Sequence, residues 1–458
     1  MKDFNKYTKQ LDGLIGVDKP TEQDYDKLKE VIIDDNDLAI YFYRENVKSG
    51  WLDKLNTAGE FKQLEDEKVA NDLLTRMKAF YLVEASKDNP KEVVDLISEL
   101  DVKDWLIQGI LLKTLLEKPL DVVDEGCELI KKYFDSPSYT DWYGHGENSA
   151  KFMIAIADDY PDKAFEIAKL LLKIEQDNDE NISLDKTKTY FKDYDYEELL
   201  LKYYKKLWQL YPFDATKQLI DVFNNYLNEL ESNDFKFVRG FHYTVERLDQ
   251  IESGYGERSL RIIIQGICES GKEGIENEPE KTDDLFSYLE KLDSPIFERT
   301  EMYLLRFVRA GAQRERISNI IKNKKFLEKS GFEYEYRFLL RDKFEDVAQD
   351  ARKVFEDWIK AKNLKVEDKE RITEWFKKRE SREATEKDFE TIENSDKAKA
   401  LYLVKEQFSE LYEETKTKSQ ASDEELAPKP RVSEARCISG KEGAPANSNE
   451  MFEMEPVE

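Results

Sequence analysis

Four prolines, Pro90, Pro119, Pro161 and Pro212, each stand where one amphipathic stretch stops and another starts. The junctions read ASKDNP, LLEKP, ADDYP and QLYP. After each proline an apolar residue follows three positions on (Val93, Val122, Ala164, Ala215) and again ten positions on (Leu100, Leu129, Leu171, Val222). Steps of three and ten lie on one face of an α-helix. Proline suits the first helical position because the amide it lacks has no partner there, and Glu92, Asp121, Asp162 and Asp214 suit a positive helix N-terminus. The recurring unit is therefore a helical hairpin, which can bury its apolar face only by stacking on its neighbours.

The junctions are 29, 42 and 51 residues apart. Such irregular spacing matches HEAT-type hairpins rather than a strict ankyrin or tetratricopeptide period. The expected fold is all-α: an irregular HEAT-like α-solenoid with a disordered C-terminal tail. A hydrophobic content of 40% supplies a real core, while 37% charged residues and a mean hydropathy of -0.74 suit a thin array with much surface per residue. The net charge of -27 opposes binding of nucleic acid over the whole surface, so any such contact must be local. Three widely spaced cysteines, Cys127, Cys268 and Cys437, make neither a disulfide framework nor a four-thiolate zinc site. No export signal or membrane span is evident, and a cytoplasmic protein is expected.

Four regions follow. Residues 1–64 form an N-terminal helical cap, and residues 65–231 the hairpin array. A helical region richer in arginine spans 232–415, since only Arg44 and Arg76 precede residue 239 while seventeen arginines follow. Residues 416–458 lack periodicity and read as the tail. Extra length in the array sits in two loops, 136–149 and 176–195, which are candidate contact surfaces. No strand pattern is sustained anywhere, and one long helix is expected over 385–415.

Several motifs invite chemistry and fall short of it. Gly266, Gly271 and Lys272 in IIIQGICESGKE have phosphate-loop spacing, but Glu273 stands where Ser or Thr must hold magnesium, so a glycine-ended helix is expected. Asp177, Asp179 and Asn181 imitate a calcium loop that then offers Ile182 for glycine and Lys188 for the closing acid. His145 with Glu147 is half of a deaminase zinc motif, and His242 with Glu246 supplies two ligands of a metal site. Neither is complete, so no catalytic residue, metal or cofactor is expected. Tyr203, Tyr204, Trp208 and Tyr211 read as core.

One segment reverses the charge of the chain. Between Arg299 and Lys329 nine bases (Arg299, Arg306, Arg309, Arg314, Arg316, Lys322, Lys324, Lys325, Lys329) face three acids (Glu301, Glu315, Glu328). It is a candidate contact for phosphates or an acidic partner. The competing reading packs these bases against the protein's own acids.

Residues Trp51, Leu52, Leu55, Gly59 and Phe61, followed by helices broken at Pro90, form a W-L-x-x-L-x-x-x-G-x-F segment ahead of the hairpins. Over residues 36–230 this resembles the helical repeat region of large prokaryotic proteins associated with antiviral defence and NTPase modules. The resemblance implies a scaffold or recognition region and carries no catalytic residue. The expected function is a non-enzymatic scaffold that binds a protein partner, with no membrane contact. A nucleic-acid adaptor using residues 299–329 and a hydrolase with its site near 232–256 are the alternatives.

Overall fold

The computed structural model describes residues 4–427 apart from 34, 47–48, 69–70, 136–141, 177–186, 190, 192, 233–247, 249–257, 324 and 327–331. The fold is all-α. The chain divides into two compact units, Met1–Tyr226 with Tyr255–Gly266, and Leu227–Gly254 with Ile267–Glu458.

In the first unit, α1 (Phe4–Ile15), α2 (Glu22–Ile32) and α3 (Asn36–Glu45) pack on one another, and a short α4 (Leu52–Thr57) follows. Helix α2 begins at a capping box in which Thr21 and Asp24 satisfy each other's backbone amides. Four hairpins come next. Their first helices are α5 (Leu73–Ser86), α7 (Trp105–Leu111, tightened to a 3₁₀ turn over Leu112–Leu116), α9 (Glu147–Ile156, entered by a π-helical turn over Trp142–Gly146) and the run α11 (Asp193–Glu198) to α12 (Lys205–Leu210). Their second helices are α6 (Pro90–Glu99), α8 (Val123–Phe134), α10 (Pro161–Leu171) and α13 (Pro212–Ser232).

Pro90, Pro161 and Pro212 open their helices, whereas Pro119 opens a single 3₁₀ turn before α8. First helices pack on first helices in chain order, from α3 through α5 and α7 onward, and α6, α8 and α10 likewise pack in succession. Of the eight apolar positions set by the prolines, seven are buried and Val222 is half-buried. Helices α6 and α8 run parallel. Lys91 pairs with Glu125 near the starts of α6 and α8, and Lys132 Nζ donates to Ser98 O at 2.8 Å and Leu100 O at 2.7 Å at their ends.

The structure departs from the sequence reading in the long loops. Ile174–Gln176 pairs antiparallel with Thr187–Thr189, a two-stranded ribbon where no strand is expected. Each strand is only three residues long, too short for alternation to register. The calcium-like stretch lies mostly outside the described residues.

Helix α14 (Arg258–Asn277), whose residues up to Gly266 belong to the first unit and the rest to the second, is continuous through Gly266 and Gly271, so neither a phosphate loop nor a glycine stop exists there. It is followed by α15 (Thr282–Leu289), α16 (Pro295–Leu305), α17 (Arg314–Lys322), α18 (Glu333–Lys343), α19 (Gln349–Ala361) and α20 (Val366–Arg379). Helix α16 packs on α18, and α17 on α19. The single helix expected over 385–415 is instead a hairpin, α21 (Glu386–Leu401) against α22 (Ser409–Ser419), turned at Tyr402–Val404. Order continues past residue 416 through α23 (Asp423–Leu426), whose Ser422 and Glu425 form a capping box. The rest of the expected tail, 428–458, lies outside the described residues.

Candidate functional site

The basic segment is the residue set with the strongest claim to a role, and its geometry follows from a register hidden in the sequence. Shifting α16 by 36 residues onto α18 aligns Ile296 with Phe332, Tyr303 with Leu339, Leu304 with Leu340 and Val308 with Phe344, all buried. The same shift sets Arg299 opposite Glu335 and Arg306 opposite Asp342. Both pairs form, one toward each end of the two helices, so α16 and α18 lie side by side and parallel.

Arg299 is 1% exposed, and its Nε and Nη2 donate to the two Glu335 oxygens at 2.9 and 2.8 Å. This bidentate geometry is the strong form of an arginine–carboxylate contact. A buried guanidinium that is fully committed to a carboxylate cannot reach a phosphate, so Arg299 leaves the candidate contact set. Arg306 donates to Asp342 Oδ2 at 2.7 Å, and its guanidinium lies 5.0 Å from the centre of the Phe338 ring. Burial pushes the Asp342 carboxyl up, but hydrogen bonds from Arg341 and Arg306 outweigh it and hold the group below the ordinary aspartate range.

Arg316 bridges Glu290 and Glu301. Burial drives the Glu301 carboxyl above its ordinary value against the pull of Arg316. Lys325 pairs with Glu298, and Lys322 with Asp350 at 3.2 Å. Lys324 and Lys329 lie outside the described residues. Only Arg309 and Arg314 are exposed and form no ion pair among the described residues. The segment is thus mainly a set of ties between neighbouring helices. The acids that complete it, Glu335 and Asp342, were missed because their signal is a register between distant segments rather than a local motif.

The Asp342 pair sets a pH signature. A carboxyl held below its unfolded value stabilises the fold above about pH 3.9, and that contribution is lost as the pH falls through the folded value. Asp342→Asn is therefore expected to be less stable than the parent chain at pH 7, with the gap closing below about pH 3.9. Thermal melts from pH 7 to 2.5 measure this, and a gap that stays constant would contradict it.

Among the described residues, the remaining histidine candidate for chemistry is enclosed. His145 is 1% exposed, donates from Nε2 to Gln108 Oε1 at 2.9 Å and meets Phe134 edge to face. Glu147 points elsewhere, to Lys151 and Tyr203. His242 and Glu246 lie outside the described residues, as does nearly all of 232–256. Glu60 accepts from Tyr25 (2.8 Å), Tyr43 (3.3 Å) and buried Lys78 (2.7 Å), which fixes the chain after Gly59. Among the described residues no three His, Cys, Asp or Glu converge as a metal site requires. A shallow groove lined by Val366, Lys369, Glu370, Thr373, Glu374 and Lys377 runs along α20.

His145 is held by a backbone-to-backbone contact. A Cβ on Gly109 would come within 2.7 Å of Gly144 Cα, and Asn148 Nδ2 bridges Gly109 O (3.1 Å) and Gly144 O (2.7 Å). Gly109→Ala must force α7 away from the turn before α9, at a cost of about 1–3 kcal/mol. Urea unfolding measures the loss, and unchanged stability would contradict the packing.

No helix among the described residues is long and apolar enough to cross a membrane. Comparison with known protein families, with curated proteins and with solved structures finds no match to this chain.

Proposed function

We propose that this chain is a HEAT-like α-solenoid scaffold that binds a protein partner through its stacked hairpins. The observation that supports this reading is the packing of first helices on first helices and second on second, with the parallel α6 and α8 tied by Lys91–Glu125 and Lys132. That arrangement repeats the same edges and faces along the chain, which is the property recognition scaffolds exploit. The ties in the basic segment fit it too, because they join neighbouring helices. The antiviral-defence setting rests on the resemblance of residues 36–230.

The test is affinity capture of the full chain, identification of what co-purifies, and reconstitution with the purified candidate. A complex of fixed stoichiometry by sedimentation is expected. Failure of every captured protein to form one would overturn the reading.

The nucleic-acid alternative is favoured by one observation: Arg309 and Arg314 are exposed and form no ion pair among the described residues. Each phosphate contact contributes a slope of roughly -0.9 in log affinity against log salt, so two contacts give a slope near ~-2. DNA or RNA binding at low salt with that slope, abolished in Arg309→Glu/Arg314→Glu, would establish it over the scaffold reading.

A further inference from the structure

The turns that join first to second helices share one edge of the first unit. Lys163 in the first turn of α10 pairs with Asp124 in the first turn of α8 at 3.3 Å, and Lys91 joins α6 to the same place. Tyr211 in the fourth turn donates to Ala157 O in the third at 3.2 Å, and its ring packs on Phe165. Along this edge stand Leu120, 47% exposed, with Tyr160 and Leu210, each 44% exposed. Large apolar side chains left in water thus recur at three consecutive turns along this edge.

Charge selects what covers it. Glu117, Asp121, Asp158, Asp159, Asp162 and Asp214 flank these side chains, all exposed and without an ion pair among the described residues. Lys118 and, one helical turn before Leu210, Lys206 are the exposed bases there that are likewise unpaired among those residues. The other edge lysines are spent, Lys87 on Glu84, Lys91 on Glu125 and Lys163 on Asp124. Unpaired acids around apolar side chains complement a segment that carries cations around apolar anchors.

We propose that this edge is the docking site for a basic, apolar-bearing segment of the protein partner. The proposal rests on the scaffold reading and adds to it a location and a partner chemistry. Helices pack about 8–10 Å apart, so Leu120, Tyr160 and Leu210 span roughly 20 Å. A helical partner segment rises about 1.5 Å per residue and covers that span in roughly 13 residues.

The test selects random 15-residue peptides, displayed on phage, against the full chain at low salt, and measures the leading synthetic peptide by fluorescence anisotropy. Enriched sequences are expected to carry net positive charge and at least two large apolar residues. Binding should weaken at least tenfold in Leu120→Ser/Tyr160→Ser/Leu210→Ser, which leaves the charge unchanged, and in Asp158→Lys/Asp159→Lys/Asp162→Lys. All six side chains are exposed, so both variants should keep the parent circular dichroism, with only a small loss of melting temperature from Asp162→Lys in the first turn of α10. Selection of nothing, selection of acidic peptides, or equal binding by both variants would overturn this site. The scaffold reading is judged separately by reconstitution with the captured partner. A partner complex that forms equally with both variants would remove this edge and leave the scaffold standing.

Discussion

Replacing Arg299 by alanine is expected to destabilise the second unit by about 3–5 kcal/mol, because Glu335 would be left charged and unpaired in the core. Glu335→Ala should cost a similar amount by stranding the guanidinium. That is a large share of the roughly 5–15 kcal/mol by which domains are stable. The cost belongs to breaking the pair, not to the pair's net worth, since two ions moved out of water must first repay their desolvation. Arg299→Met combined with Glu335→Leu should therefore recover parent stability or exceed it. Hydrogen exchange gives the location: protection should fall in α16 and α18 in each single variant and return in the double one. If the double variant is no more stable than the singles, the pair contributes net attraction and the argument fails. Arg306→Ala should cost less, because the Asp342 end of the tie is more exposed and water can solvate what is left.

The two ties also show which parts of this molecule a sequence states locally. Proline at a first helical position and apolar residues three and ten further on are short-range signals, and they placed the second helices of the hairpins with seven buried positions out of eight. Partner choice is not short-range. Nine bases in 31 residues look like a surface patch until two of them are paired with acids 36 residues away. The turn at Tyr402–Val404 is hidden for a related reason. The stretch LYLVKEQF contains no glycine or proline, and the helix breaks there because α21 and α22 bury Leu401, Val404 and Tyr412 in one hairpin. The short helix past residue 416 is legible in the sequence. Ser422 and Glu425 carry the spacing of a capping box, and Glu425 Oε2 accepts from Ser422 N at 2.7 Å.

Trp51→Ala is expected to cost the first unit about 3–5 kcal/mol, the range for deleting a fully buried large aromatic side chain. Trp51, Leu52, Leu55 and Phe61, four residues of the segment that carries the resemblance, are each no more than 1% exposed. Gly59 supplies the left-handed turn between them at φ 75°, a conformation costly for any residue with a Cβ. Trp51 meets Phe42 edge to face with centroids 5.3 Å apart, and its Nε1 donates to Leu14 O at 3.1 Å. One side chain thus joins α1, α3 and α4. Trp51→Phe should retain most of the packing and lose the hydrogen bond, leaving Leu14 O buried and unpaired at a cost of about 1–3 kcal/mol. Urea unfolding followed by hydrogen exchange across α1 to α5 checks both values, and an alanine variant as stable as the phenylalanine one would contradict the placement. The motif then has a physical reading independent of any relative: its apolar residues close the cap over α5, and its glycine turns the chain so that Glu60 meets Lys78. On the proposed scaffold reading, recognition in the first unit would fall to side chains that packing leaves in water, such as Leu120, Tyr160 and Leu210.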